Sequence, residues 1–263
     1  MLALIPTQWQ ELIRVTSLQS KYARLKFKKN SDVDHILMLG NTQVEGFKTF
    51  LGELYHIDHG VTDMQTVIMR STPPTEEMII LLRQSNFQTK VTFLEGNVVN
   101  SKDLKRCSVE SSKCVIILAN KQSRNPNVED YKNILHTFSV KQYVKTMTGR
   151  EIRVCLQLLK PENKDLYFSS LNGSQHDQVI CVDEIKLYLL AKTCLCPGIN
   201  TIISFLITSN KPMYENKSNK ENDWIDDYMY GMQNEIYRVP FEAKVFSGLS
   251  FNLVIFFFFL MNI

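Results

Sequence analysis

The chain has 263 residues, 44% hydrophobic and 22% charged, the composition of an ordinary globular protein able to build a real core in one large or two small domains. With 30 basic and 27 acidic side chains the net charge is only +3, which excludes a general electrostatic case for nucleic acid. The first residues lack a basic start followed by a long apolar core, so no secretory signal is read, and the six scattered cysteines read as reduced, buried thiols in a cytosolic setting.

Residues 1–33 precede the first strand. Ile5–Ile13 has the pattern of a helix start, with Pro6 in the first turn and Glu11 following Thr7. Arg14, Lys21, Arg24, Lys26, Lys28 and Lys29 follow in a basic, polar run that composition assigns to a solvated linker. Ile36–Leu39 is an unbroken apolar run, as expected of a strand buried on both faces of a parallel sheet. Gly40-Asn41 turns the chain, and Val44, Phe47, Phe50, Leu51 and Leu54 recur at helical spacing.

From there strand and helix alternate. Thr66–Met69 is a second strand, and Pro74 and Thr75 stop it and cap a helix whose buried face is Met78, Ile79, Leu81 and Leu82. Val91–Leu94 is a third strand, followed by a short helix over 101–106 led by Ser101 as its cap. Cys114–Ala119 is wholly apolar and therefore central, a helix is expected from Val128 to about Val144, and 152–157 is a fifth strand. Five strands with intervening helices predict a Rossmann-like, doubly wound parallel sheet with right-handed crossovers.

The pattern changes at Leu159. A loop over 168–178 precedes a short strand at Val179–Cys181, and Asp183–Leu195 reads as a strongly amphipathic helix. Pro197-Gly198 breaks it before a second apolar helix over 199–207, a helix–break–helix unit suited to packing on another subunit or lobe. Residues 209–223 form a loop of low hydrophobicity, order resumes at Trp224, and Gly248–Phe251 is expected to begin a further strand. The apolar run Leu253–Leu260 is far shorter than the roughly 20 residues a membrane-spanning helix needs.

Chemistry is sparse. The turn Gly40-Asn41-Thr42-Gln43-Val44-Glu45-Gly46 keeps only the first glycine of a dinucleotide fingerprint, with Thr42 and Glu45 at the other two positions, and Glu45 puts a negative charge where phosphates would lie. No nucleophile elbow, His-Glu-x-x-His or phosphate-loop motif is present, and the five histidines pair with no Ser or Cys, so no enzyme is read. Cys194-Leu-Cys196 lacks partners for zinc and reads as core packing. Glu53, Asp58 and Asp63 cluster after the first helix, a cluster either solvated or able to offer oxygens to a hard cation.

Eleven stretches in order resemble the first RCK domain (regulator of potassium conductance) of the Slo family of large-conductance potassium channels. Among them are Asp34–Asn41, Leu94–Val98, Lys102–Arg106, Val109–Ser112, Cys114–Asn120, Glu129–Leu135, Leu156–Lys164, Val179–Leu187 and Cys194–Gly198, and they run on through Asn234–Tyr237 to Gly248–Phe251. Leu159–Lys164 and Cys194–Gly198 look more like the sodium-activated Slack and Slick branch, whereas Ile117–Lys121 and the Glu129-Asp130 pair look more like the calcium-activated branch.

The resemblance implies a non-enzymatic gating-ring domain with residues 1–33 as the end of the pore-lining helix and its linker, and 34–158 as the Rossmann-like N-terminal lobe. It makes 159–208 the crossover and helix-turn-helix dimerisation arm, 209–251 part of a small α+β C-terminal lobe, and 252–263 an atypical apolar tail that departs from the family like translated non-coding sequence. It further implies a homotetramer through RCK–RCK contacts, joined to a pore and a second RCK domain at the cytoplasmic face of the plasma membrane. No cofactor is expected beyond a regulatory Ca²⁺ or Na⁺, and the family's calcium site falls on Asp58 and Glu235, with Glu53 as a third acidic position. Asn210 stands where the calcium-activated branch has a supporting arginine. The reading from another class is an NAD- or nucleotide-binding Rossmann domain, an oxidoreductase or transport regulator, because fold alone does not choose.

Overall fold

The computed structural model describes residues 20–29, 33–59, 63–170, 176–209, 223–232, 236, 248–250 and 252–253. The chain divides into two units, residues 1–200 and 201–263. The first holds one six-stranded sheet in the order β3-β2-β1-β4-β5-β6. Every pairing is parallel, from β1 (His35–Gly40) and β2 (Gln65–Arg70) through β3 (Val91–Glu95), β4 (Cys114–Leu118) and β5 (Val154–Leu158) to β6 (Gln178–Cys181). The expected five strands are all there. The sixth, at the edge beside β5, extends the sheet beyond the residues assigned to it from sequence.

The helices are α1 (Lys21–Arg24), α2 (Val44–Leu54), α3 (Glu76–Leu82), α4 (Ser101–Arg106), α5 (Pro126–Thr148), α6 (Glu162–Ser169), α7 (Val182–Leu195), α8 (Ile199–Ile207) and α9 (Asp223–Met232). Strand side chains alternate between two cores, which is why the central strands are apolar at every position. Leu37, Leu39, Val67, Val115 and Ile117 face one core with Leu104 of α4 and Ile134 and Val140 of α5. Met38, Ile68 and Phe93 face the other with Phe47 and Leu51 of α2 and Met78 and Leu81 of α3. Helices on both faces of a parallel sheet make the doubly wound architecture that the spacing predicted.

Local signals decide the ends. Thr75 caps α3, its Oγ1 accepting the Met78 N–H at 3.3 Å. The cap of α4 is Asn100 rather than Ser101: its Oδ1 accepts the Lys102 N–H at 3.1 Å. Helix α5 is longer than expected at both ends. Asn125 caps it with Pro126 in the first turn, and Gly149 closes it at φ 71° in the left-handed region.

Helix α7 is apolar on several sides instead of amphipathic, and none of its residues is buried. Cys194 and Cys196 are exposed, which corrects their assignment to the core; Cys107, Cys114 and Cys181 are buried thiols as expected. In the second unit the Phe205 ring of α8 meets Tyr228 of α9 edge-on at 5.6 Å, and the Ile236 N–H donates to the Leu206 carbonyl at 3.2 Å. Residues 248–250 begin with a turn and carry no strand, unlike the expectation for that stretch. The helix start at Ile5–Ile13 and most of the 209–223 loop lie outside the described residues. Among the described residues no helix is long and apolar enough to cross a membrane.

Candidate functional site

The carboxyl ends of β1, β2 and β4 open into a crevice of about 650 Å³, the place where doubly wound sheets hold ligands. Gly40 ends β1 at φ 115°, and a Cβ there would lie 2.1 Å from the Leu118 carbonyl oxygen of β4. The surviving fingerprint glycine therefore serves the approach of two strands to each other. The Thr42 hydroxyl fills the space beside Gly46, where a Cβ would meet its Oγ1 at 2.8 Å. Glu45 sits in the first turn of α2, so this helix supplies its own carboxylate to the positive end of its dipole. The crevice mixes Lys48 and Arg70 with Glu45 and Glu77.

The acidic loop follows α2. The chain leaves the helix through Tyr55 and a short 3-10 turn at Ile57–His59. The Tyr55 hydroxyl anchors this turn to β2, donating to the Met64 carbonyl at 3.1 Å and lying 2.7 Å from Thr66 Oγ1. Burial raises the Tyr55 pKa, so the anchor stays protonated. Glu53 accepts a hydrogen bond from His59 Nε2 at 3.1 Å, with both side chains part-exposed. Asp63 is exposed. Of the three expected cation ligands, Glu53 alone has a described side chain; the Asp58 side chain and Glu235 lie outside the described residues. Among the described residues no three His, Cys, Asp or Glu side chains are grouped to hold a metal ion.

Sequence reading missed a set of residues that tie the lobe together. Arg106 of α4 donates to the Tyr22 and Leu25 carbonyls, each at 3.0 Å, to the Glu95 carbonyl at 3.0 Å and to Asp103 Oδ1 at 2.8 Å. In return the Phe27 N–H donates to the Arg106 carbonyl at 3.0 Å, Phe27 is buried, and the Tyr22 ring meets Phe93 edge-on at 5.5 Å. The basic run is thus fastened to the sheet over residues 22–27 and is not a solvated linker there. The only trace of this in sequence is an aromatic or apolar residue recurring among the charges.

Two buried carboxylates complete the framework. Asp130 accepts from the Leu159 N–H at 2.8 Å, the Lys160 N–H at 3.0 Å and Asn163 Nδ2 at 2.8 Å, holding the turn after β5. Asp177 accepts from Lys141 Nζ at 2.5 Å, from the Tyr167 hydroxyl at 2.6 Å and from the Val154 N–H at 3.1 Å. Burial, then the bond to Asp177, pushes the Tyr167 pKa far up.

Comparisons with known proteins agree with this architecture. The family model described as the calcium-activated potassium channel slowpoke-like RCK domain matches residues 31–167, more than half of the chain. The model of the calcium-activated BK potassium channel alpha subunit matches residues 177–262, a span that takes in most of the phenylalanine-rich tail expected to depart from the family. The calcium-activated potassium channel slowpoke of Drosophila melanogaster is 31% identical over 254 residues, covering 95% of this chain and 20% of that protein. The human SLO3 gating ring superposes with a TM-score of 0.64 at 26% identity, over 87% of this chain and 38% of the other. The chain therefore spans about a fifth of the length of this curated relative. Sheet order, the wording of the matched segments and the fold of a gating ring converge: the chain belongs to the slowpoke-like RCK-domain family of calcium-activated potassium channels.

Proposed function

We propose that this chain is the gating-ring part of a large-conductance potassium channel subunit, acting without catalysis at the cytoplasmic face of the membrane. It converts cation binding at the end of α2 into a displacement of the segment that precedes β1. The observation that carries this reading is the Arg106 clamp: residues 22–27 are fastened to β3 and α4 by a guanidinium and a buried phenylalanine, so a shift of the lobe moves the segment with it. Asp58 and Glu235, with Glu53, would supply the oxygens for Ca²⁺ or Na⁺, hard cations that take carboxylates. Such an ion biases the gate only through its different affinity for the two conformations. Four copies would assemble through the exposed apolar surfaces of α7 and α8, where Leu187, Tyr188, Leu190 and Ile202 are all more than half exposed.

Calorimetric titration of the chain with Ca²⁺ and with Na⁺ tests the site. Saturable heat with one ion, lost in Asp58→Ala, is the expected result. Equal heats in wild type and variant, or none with either ion, would refute it. A nucleotide function has less in its favour, because Glu45 and Thr42 occupy the phosphate turn; tight, saturable binding of NAD in equilibrium dialysis would reverse that ranking.

A further inference from the structure

A second, smaller cavity of about 270 Å³ lies at the carboxyl ends of β1, β2 and β3 against α5. Three nitrogens buried at its wall have no hydrogen-bond partner among the described residues: Arg70 Nε, Asn133 Nδ2 and His136 Nδ1. Asn133 is only 1% exposed. A buried donor left without a partner forfeits its hydration for nothing, so three in one place call for a common acceptor. Their chemistry runs one way. Arg70 and the Asn133 amide are donors, and His136 becomes one in its Nδ1–H tautomer.

Charge points the same way. Lys132 joins Arg70 in the lining, and no Asp or Glu lines the cavity. The guanidinium has one described acceptor, Asn41 Oδ1 at 2.5 Å, which carries no charge. Two carboxylates close in sequence to this wall are engaged elsewhere. Asp103 accepts from the Asn97 N–H, Asn100 Nδ2 and Arg106, and Glu95 accepts from the Ser20 hydroxyl. A bridging water satisfies donors but leaves two positive charges unbalanced; an oxyanion does both.

We infer that this cavity is an anion site, built by Arg70, Asn133, His136 and Lys132 for a phosphate group. Its volume takes a phosphate and leaves no room for a dinucleotide. The phosphate is either free or carried on a mononucleotide whose remainder projects from the opening. This chemistry is opposite in sign to a cation site and independent of it, since none of these residues belongs to the acidic loop. An occupied site would tie the ends of β1 and β2 to α5 across the strand-order reversal.

Isothermal titration of the chain with inorganic phosphate, and separately with AMP, in chloride buffer tests the assignment. Saturable binding of phosphate is expected, weakened tenfold or more in Arg70→Gln and in Asn133→Leu. Lys132→Gln, an exposed substitution that leaves the fold intact, should weaken it about threefold and keeps the test valid if either buried variant fails to fold. Binding of AMP tighter than that of phosphate, in competition with it, assigns a nucleotide phosphate; equal or weaker AMP binding assigns the free ion. Lack of saturable binding by either probe would overturn the inference. So would an affinity unchanged across these variants, or one lost instead in Lys48→Gln on the neighbouring crevice.

Discussion

Asp130 and His136 lie six residues apart on α5 and carry opposite electrostatic tasks. Asp130 is a buried anion whose three N–H partners hold the turn after β5. His136 is a part-buried imidazole kept neutral, its pKa lowered to about 4 by burial and then by Lys132. The unfolded chain takes up this proton near the ordinary value of 6.5 and the folded chain only near 4, so protons favour unfolding between those limits. Stability in phosphate-free buffer should fall as pH drops from about 6.5 to about 4, by about 2–3 kcal/mol from this residue. Urea unfolding of wild type and His136→Gln should show the difference between them growing across that window and flat below it. His35, buried at the start of β1 and likewise lowered by burial and by Lys29, adds to the slope in both proteins. None of this was legible in sequence: a helical histidine or aspartate looks the same solvated or buried, and only the tertiary partners decide.

At the scale of elements, periodicity found the strands because their environment is uniform. The central ones are apolar at every position, and α2 and α3 bury one plain apolar stripe. Helix α5 blurred for a physical reason: its inward face includes Glu129, Asp130, Asn133 and Thr137, so polarity does not mark its outside. Its ends were nonetheless written in Asn125-Pro126 and Gly149, capping signals stronger than its periodicity. Strand β6 was read as a short strand but not as part of the sheet, because a four-residue edge strand with two exposed positions carries no register signal. The attachment of residues 22–27 was also hidden, since its bonds go to backbone carbonyls. Arg106→Ala removes two bonds to this stretch and one to Glu95 of β3, each worth on the order of 1.5–3 kcal/mol for a charged donor. Hydrogen exchange of the amides in 20–29 should then speed up about tenfold or more while that of β1 stays unchanged. Equal rates in both segments would mean that the clamp does not hold this stretch.

For the whole molecule, the family and its fold were read from the order of matched segments, whereas the ligand was not. The proposed cation site joins residues far apart in the chain, and spacing says nothing about such a pair. Assembly has a more direct check. The double substitution Leu187→Lys and Leu190→Lys puts charge on side chains that are 64% and 63% exposed, so it leaves the core untouched. Sedimentation velocity should find the wild type as an oligomer at micromolar concentration and the double variant as a folded monomer; a monomeric wild type would remove α7 from the interface. The sheet order has one more consequence. Strand β3 terminates the sheet, and the stretch holding Tyr22 lies against it. Peeling that stretch away would bare a row of unpaired amides, a template on which foreign strands could grow. On the proposed gating role, full detachment would therefore court aggregation at every opening, and the safer motion is one in which tether and sheet swing as a single rigid lever.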